Sequence, residues 1–237
     1  MKNKKNFLVI GNPIKHSLSP LLHNYWFHKN KINCEYKKLK TTQAEIKKIL
    51  TKVRKKEIEG INVTIPFKNS IIRHLDILKG DALKTSSVNT VYLNKKKLVG
   101  ENTDVYGFSC GVIKKVANRI KTAGIIGAGG VTSSIILALI QKGVKKIYIT
   151  NRTFSKLKIF KKKFKKIIYP IKWNDRYKLF RDVQILINVT SLGMLGQKDL
   201  KFAQAHAHRF HLQFHPRFLR VHPQSLEAQR HRHIHQR

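Results

Sequence analysis

TAGIIGAGGVTSSIILALIQKGVKKIYIT, residues 122–150, is the stretch of the chain that most directly predicts the fold. A short apolar strand leads into a glycine turn, an apolar helix runs from Val131 to Gln141, and a second strand covers Lys146 to Thr150. A strand, a glycine turn, a helix and a strand in this order form a βαβ unit, whose two strands lie parallel in one sheet. The second half of the chain is therefore predicted to be an α/β domain with a parallel sheet.

The glycine turn of this unit indicates a dinucleotide site of the Rossmann type. Gly127, Gly129 and Thr132 give GxGxxT, an incomplete form of the pattern that follows a strand and opens a helix. Glycines let the backbone approach a pyrophosphate, and the helix N-terminus faces its negative charge. The predicted cradle is the run Gly127, Ala128, Gly129, Gly130 and Val131.

The residues after the second strand of this unit favour NADP over NAD. An NAD enzyme usually places an acidic residue there for the ribose 2′-hydroxyl, whereas this chain has Asn151-Arg152-Thr153, with Lys156 close behind. An arginine matches a 2′-phosphate. The alternative is that Arg152 merely caps a surface turn.

The first half alternates strand-like and helix-like segments. Strands are predicted at 7–10, 60–64 and 88–93, helices at 20–29, 43–53 and 81–85, and a hairpin around the polar turn 94–97. A further helix is predicted from Asp104 towards Val116, and the second half continues with a helix at 153–165 and a strand at 183–187.

Small polar side chains follow several of these strands. Ser17 and Ser19 lie in a turn that opens a helix at Pro20, where two hydroxyls and the helix N-terminus suit a small anionic ligand. The alternative is a serine N-cap before a proline. Thr64 and Lys68 lie in NVTIPFK, at a strand end where ligands of open α/β sheets bind, and a lysine held there is a candidate general acid or base.

Three more segments carry candidate residues. Asn89 and Asn102 are candidates to hydrogen-bond substrate hydroxyls, and Asp104 is either a helix N-cap or the carboxylate that supports Lys68. Thr190 and Ser191 follow a strand of the second half and are candidates to flank a nicotinamide.

The composition of the chain limits the classes of function that the protein can have. The 237 residues are 41% apolar, enough for a folded core, and no run approaches the ~20 apolar residues of a membrane span. Cys34 and Cys110 lack metal-site spacing and fit free thiols in a reducing cytoplasm. The net charge of +37 suggests nucleic-acid binding, but the lysines are spread over nearly every segment and no nucleic-acid-binding motif is present. A basic nucleic-acid-binding protein stays open as an alternative.

Taken in order, the motifs resemble those of the shikimate dehydrogenases, NADP-dependent enzymes of the shikimate pathway. The pieces that carry the resemblance are GNPIKHSLSP, NVTIPFK, SVNT, GENTDVYGF, GAGGVTSS, TNRT and INVTSLGM, which together span about residues 7–194. A quinate/shikimate dehydrogenase is the alternative within the superfamily. Such enzymes often use NAD, and Arg152 argues against that here.

The resemblance implies two α/β domains around a cleft, a cytoplasmic location, and reversible reduction of 3-dehydroshikimate to shikimate. It implies a small-molecule substrate without a specific nucleic-acid or membrane partner and without a metal, and it is compatible with a homodimer. Lys68 and Asp104 would be catalytic. The substrate would be held by Ser17, Ser19, Thr64, Lys68, Asn89 and Asp104. NADP would be held by the glycine turn and by Asn151, Arg152, Thr153, Lys156, Thr190 and Ser191.

The last segment departs from the family pattern. Eight of the twelve histidines fall between His206 and His235, at spacings that match no zinc site, and the family's Tyr-x-Pro and Gln-Ala segments are missing. The predicted organisation is therefore a substrate domain at 1–104, an NADP domain at 105–200, and an atypical tail at 201–237 that is disordered or frame-shifted. A degraded homologue without activity stays open as an alternative.

Overall fold

The structure is a computed structural model that describes residues 4–112, 120–192, 210–214 and 219–221. The chain divides into two compact units, Met1–Tyr106 and Gly107–Arg237. The sequence predicts this division after residue 104. Among the described residues, none of the helices combines the length and the apolar character that crossing a bilayer requires.

The first unit is built on a six-stranded mixed sheet. In chain order its strands are β1 (Lys5–Gly11), β2 (Cys34–Lys40), β3 (Gly60–Val63), β4 (Ile77–Leu78), β5 (Thr90–Asn94) and β6 (Lys97–Glu101). Their order in the sheet is β2-β1-β3-β5-β6-β4. β1 is parallel to β2 and β3, whereas β5 is antiparallel to β3 and β6. The predicted hairpin around residues 94–97 is confirmed as β5 and β6.

The helices of this unit are α1 (Ser19–Lys29), α2 (Ile46–Arg54), α3 (Asp81–Thr85) and the start of α4 (Asp104–Gly111), with a 3-10 helix at Ser70–His74. α2 begins three residues later than the predicted start because a turn precedes it. In that turn Glu45 Oε2 accepts hydrogen bonds from the backbone N and the Oγ1 of Thr42, at 2.7 and 2.8 Å. α4 is described as far as Gly111, and the rest of the predicted helix lies mostly outside the described residues.

The two faces of the first sheet bury different side chains. On one face α2 packs Ile46, Ile49, Leu50 and Val53 into a cluster with residues of β1, β3, β5 and β6. On the other face, a smaller cluster joins the strands to α1 through Val9, Tyr36 and Phe27, with Ile14 and Phe7. Alternation along the strands thus assigns each side chain to one of two environments.

The second unit contains a six-stranded sheet that is parallel except at one edge. Its strands are β7 (Thr122–Ile126), β8 (Lys146–Thr150), β9 (Ile168–Ile171), β10 (Ile185–Asn188), β11 (Phe210–Phe214) and β12 (Leu219–Val221), in the spatial order β12-β11-β10-β7-β8-β9. Its helices are α5 (Thr132–Gln141), α6 (Leu157–Phe164) and α7 (Leu179–Asp182), with 3-10 helices at Phe154–Lys156, Lys165–Ile167 and Trp173–Lys178. β7, α5 and parallel β8 are the βαβ unit that the sequence predicts, so the Rossmann-type fold class is confirmed.

The tail differs from its prediction in two places. Residues 210–214 pair with β10 in parallel, and residues 219–221 pair with β11 in antiparallel, so both segments are strands where the sequence predicts no regular element. The remaining tail residues lie outside the described part of the chain.

Candidate functional site

In the first unit, backbone hydrogen bonds bring four chain segments to one edge of the sheet. Asn12 N donates to Ile65 O at 2.9 Å, which ties the turn after β1 to the turn after β3. Val63 N donates to Asn89 O at 2.8 Å, and Asn89 N donates to Glu101 O at 3.0 Å, so the start of β5 and the end of β6 reach the same edge. The candidate substrate residues all lie in or beside these segments.

Gly11 is required for the close approach of the first two segments. A Cβ atom at this position would collide with Cγ2 of Thr64 and would lie 3.1 Å from Ile65 O. Any larger residue would therefore push the turn that contains Thr64 away from the end of β1.

Lys68 and Asp104 form an ion pair at this edge. Lys68 Nζ donates to Asp104 Oδ2 at 2.8 Å, and the two side chains are only 12% and 15% exposed. Partial burial strengthens the attraction relative to an exposed pair, because less water screens the charges. The structure thus brings together the lysine and the carboxylate that the sequence predicts as partners.

Asn102, and not Asp104, provides the side-chain cap of α4. Asn102 Oδ1 accepts from the backbone N of Asp104 at 3.0 Å and from that of Val105 at 3.4 Å. Its Nδ2 donates to Thr85 Oγ1 and Ser87 O, and the residue is buried. The prediction that Asn102 hydrogen-bonds a substrate is therefore wrong, because both ends of its amide hold the protein together. The capping by Asn102 leaves the Asp104 carboxylate available to Lys68.

Asn89 supports the other oxygen of the Asp104 carboxylate. Its Nδ2 donates to Asp104 Oδ1 at 3.0 Å and to Thr103 Oγ1 at 2.9 Å. Asn89 is half-buried and lies immediately before β5. The amide predicted to contact substrate hydroxyls is thus in direct contact with the Lys68–Asp104 pair.

The two serines lie at the start of α1. Ser17 Oγ accepts from Ser19 N at 3.3 Å, and both residues are half-buried. This bond uses the Ser17 oxygen as an acceptor, so its hydroxyl proton can still be donated to a carboxylate. The N-cap position itself is Leu18, and it has no side-chain cap hydrogen bond.

In the second unit the glycine turn approaches the loop after β10. Gly127 has φ +117°, and a Cβ there would lie 2.8 Å from the Cγ2 atoms of Val189 and Thr190. Gly127 N donates to Thr150 O at 2.8 Å, so the turn also adjoins the end of β8. A Cβ on Gly129, by contrast, would meet nothing within 4 Å. The turn therefore has open space beside Gly129.

The segment after β8 carries positive charge beside this turn. Asn151 Nδ2 donates to Thr153 O at 3.0 Å, and Lys156 N donates to Thr153 O at 3.2 Å. These bonds fold 151–156 into a compact turn on which Arg152 and Lys156 are exposed. An asparagine-closed turn with two exposed cations provides the donors that a 2′-phosphate requires.

Asn188 organises the loop that contains Thr190 and Ser191. Asn188 Oδ1 accepts from the N and the Oγ1 of Thr190 at 2.9 and 2.7 Å, and Asn188 Nδ2 donates to Leu192 O at 2.9 Å. Thr190 Oγ1 in turn accepts from Leu192 N at 3.1 Å. Asn188 is not among the residues predicted from the sequence, although a buried asparagine at a strand end is a recognisable signal for this role.

Within the described part of the chain, no three His, Cys, Asp or Glu residues are grouped so as to hold a metal ion. Cys34 and Cys110 are both free thiols. The histidine-rich segment falls almost entirely outside the described residues.

Two family models match the chain. The model for the shikimate dehydrogenase substrate binding domain matches residues 9–91, and the model for shikimate / quinate 5-dehydrogenase matches residues 112–209. The chain belongs to the shikimate dehydrogenase family. The division between the two matches falls in the same part of the chain as the division between the two compact units.

Individual shikimate dehydrogenases are similar over most of the chain. The NADP(+) shikimate dehydrogenase of Pelagibacter ubique is 46% identical over 198 residues, which cover 83% of this chain and 73% of that protein. The crystal structure of shikimate dehydrogenase from Aquifex aeolicus has a TM-score of 0.76 and 32% identity, covering 86% of this chain and 76% of that one. The Thermus thermophilus enzyme, solved with NADP(H) and shikimate, has a TM-score of 0.71 and 28% identity, covering 80% of this chain and 70% of that one.

Proposed function

We propose that this chain is an NADP-dependent shikimate dehydrogenase, which reversibly reduces 3-dehydroshikimate to shikimate in the pathway to chorismate and the aromatic amino acids. The observation that carries the proposal is the Lys68–Asp104 pair, 2.8 Å apart and largely buried at a ligand-binding edge of the sheet. It lies in a chain 46% identical to a shikimate dehydrogenase that uses NADP(+).

Lys68 supplies the proton chemistry in this proposal. During reduction its Nζ donates a proton to the ketone oxygen, which gains negative charge in the transition state; during oxidation the amine takes the hydroxyl proton back. Asp104 orients Nζ through the hydrogen bond that its Oδ2 accepts. The nicotinamide of NADP supplies the hydride transfer when it is bound.

The remaining polar groups of this edge hold the substrate. Ser17 and Ser19 donate to the shikimate carboxylate, with added stabilisation from the N-terminus of α1. Thr64, Asn89 and Asp104 orient the ring hydroxyls. Asp104 belongs to the catalytic pair and Asn89 donates a hydrogen bond to it, so both residues suit this role.

The residues of the second unit fit NADP by their chemistry. Arg152 and Lys156 provide two cations for the adenosine 2′-phosphate, on a turn held by Asn151 and Thr153. The open space at Gly129 and the start of α5 suit the pyrophosphate, to which Gly127, Ala128, Gly130 and Val131 present their backbone. Thr190 and Ser191 flank the nicotinamide end.

We further propose that the protein acts in the cytoplasm on small molecules, with no specific nucleic-acid or membrane partner. The two free thiols, Cys34 and Cys110, support a reducing compartment. The charge of +37 draws polyanions non-specifically, and such binding weakens steeply with added salt.

A matrix of two substrates and two cofactors tests the proposal. Purified full-length protein is mixed with shikimate or quinate and with NADP or NAD, and reduced nicotinamide is followed by its absorbance. We expect the highest kcat/KM for shikimate with NADP. A folded protein, shown by circular dichroism, that reduces neither cofactor with either substrate would refute the proposal and favour the degraded homologue. Preference for quinate with NAD would favour the quinate/shikimate alternative.

A further inference from the structure

A row of polar side chains crosses the first sheet on the face opposite the large core cluster. Val91 and Ile61 point into that cluster, so their neighbours Asn62 and Thr90 face the other way. Asn62 and Thr90 are directly paired across β3 and β5, and both are half-buried. Polar residues in paired, half-buried positions need hydrogen-bond partners to offset their desolvation.

These residues form one continuous chain of hydrogen bonds that ends on Asp104. Tyr36 Oη donates to Asn62 Oδ1 at 2.7 Å, and Asn62 Nδ2 donates to Thr90 Oγ1 at 3.1 Å. Thr90 Oγ1 donates to Asn89 Oδ1 at 3.0 Å, and Asn89 Nδ2 donates to Asp104 Oδ1 at 3.0 Å. Every donor in the series points towards the carboxylate, and hydrogen bonds aligned in this way strengthen one another.

Backbone groups fix the direction in which this series of hydrogen bonds runs. Asn62 Nδ2 also donates to the carbonyl of Asn89 at 3.1 Å, and Asn89 Oδ1 also accepts from the backbone N of Thr103 at 3.0 Å. A carbonyl can only accept and a backbone N–H can only donate, so neither amide can be reversed without losing a bond. Burial also raises the pKa of the Tyr36 hydroxyl, which keeps it protonated and able to donate.

We propose that Thr90 is a positioning residue for the reaction, acting through Asn89 on the Asp104 carboxylate. This inference rests on the proposed function. The Thr90 hydroxyl holds the Asn89 amide so that its NH2 group stays on Asp104 Oδ1, which leaves Asp104 Oδ2 aimed at Lys68. Asn62 in turn holds the Thr90 hydroxyl, and Tyr36 holds Asn62, so the series of hydrogen bonds continues away from the site.

Two substitutions of Thr90, a matched control and one reserve variant test this role. Thr90→Val removes the hydroxyl while keeping the shape, and we expect kcat to fall roughly three- to tenfold, the usual effect of one neutral hydrogen bond. Thr90→Ser restores the hydroxyl and is expected to restore most of the rate. Tyr92→Phe is the matched control, because Tyr92 lies on the same strand and the same face as Thr90. Its hydroxyl donates to Glu101 Oε1 and takes no part in the series of hydrogen bonds that ends on Asp104. Tyr36→Phe serves if Thr90→Val fails to fold, with an expected loss of about two- to threefold.

A readout independent of turnover separates this inference from the proposed function. In 15N-labelled protein the Asn89 side-chain NH2 signals, assigned by their loss in Asn89→Ala, report how firmly the amide is held. We expect slow hydrogen exchange of this group in the wild type and Thr90→Ser, and faster exchange in Thr90→Val. An inactive wild type refutes the proposed function, and the amide readout then decides the positioning role alone. Equal exchange and equal kcat in Thr90→Val and the wild type would overturn the inference.

Discussion

Lys68 Nζ lies 2.8 Å from Asp104 Oδ2, although 36 positions separate the two residues in the sequence. Lys68 lies in the turn after β3 and Asp104 is the first residue of α4, just after β6. β3 and β6 are both neighbours of β5, so the sheet brings the two segments to one edge. The order of the strands in the sheet therefore brings the two residues together, although they are far apart in the sequence.

Asp104→Asn should lower kcat by about 100-fold, because the neutral amide no longer provides the charge-assisted hydrogen bond that orients Lys68 Nζ. Because the largely buried Lys68 loses its charged partner, the unfolding midpoint should also fall, and circular dichroism at the assay temperature shows that the variant is still folded. Steady-state kinetics with shikimate and thermal unfolding measure the two quantities. Asp81→Asn is the control, because Asp81 pairs with the exposed Lys84 at 3.9 Å, and its kcat should be unchanged. A similar loss in both variants would contradict the assignment.

Arg152→Ala should weaken NADP binding by roughly 10- to 100-fold and leave NAD binding nearly unchanged, because a charge-assisted contact to the 2′-phosphate is lost. Calorimetric titration of each cofactor measures the effect without turnover. Lys166→Ala removes another exposed cation of the same unit and controls for net charge. Equal weakening for NADP and NAD would show that Arg152 does not recognise the phosphate.

Asn102→Ala should destabilise the first unit by about 1–3 kcal/mol, because it removes the cap of α4 and leaves buried groups without their partner. Urea unfolding at neutral pH measures the change. Lys47→Ala, on the exposed side of α2, is expected to change the unfolding free energy little. If Asn102→Ala were as stable as the wild type and only its shikimate affinity fell, the capping role would be wrong and the substrate role of Asn102 would return.

Asp76→Asn should reduce stability at neutral pH and make little difference in acid. The hydrogen bond from Arg54, together with that from the backbone N of Leu98, holds the pKa of the Asp76 carboxyl below its ordinary value. A carboxyl whose pKa is lowered by folding contributes stability above its unfolded pKa, roughly 3.9, and this contribution is lost as the pH falls through the lower folded value. Urea unfolding of both proteins at several pH values measures the difference. A gap between wild type and variant that widened towards low pH would contradict the account.

The sequence predicted the βαβ unit and the hairpin because both carry local signals, a glycine turn between apolar segments and a polar turn between two strands. Besides β11 and β12 of the tail, it missed β2, β4 and β9, and these three for physical reasons. β2, CEYKKLK, is an edge strand whose exposed lysines hide the alternation that its buried Tyr36 would show. β4 has two residues, and β9 contains a proline at the sheet edge.

The sequence predicted which residues form the candidate site better than it predicted the hydrogen bonds between them. Motif spacing placed Lys68, Asn89 and Asp104 at strand ends, and the structure joins them. The different roles of Asn102 and Asn89 could not be predicted from the sequence, because both residues are asparagines that lie next to the end of a strand. Their hydrogen-bond partners in the folded protein decide that Asn102 caps a helix and that Asn89 faces the carboxylate.

The most direct test of the central claim is the rate of shikimate-dependent NADP reduction by the wild type and by Lys68→Ala. We expect turnover by the wild type and a loss of about 10²- to 10⁴-fold in the variant, with NADP binding, measured by calorimetry, retained. Lys84→Ala, which removes an exposed lysine that also pairs with an aspartate, should match the wild type. Unchanged turnover in Lys68→Ala would contradict the account.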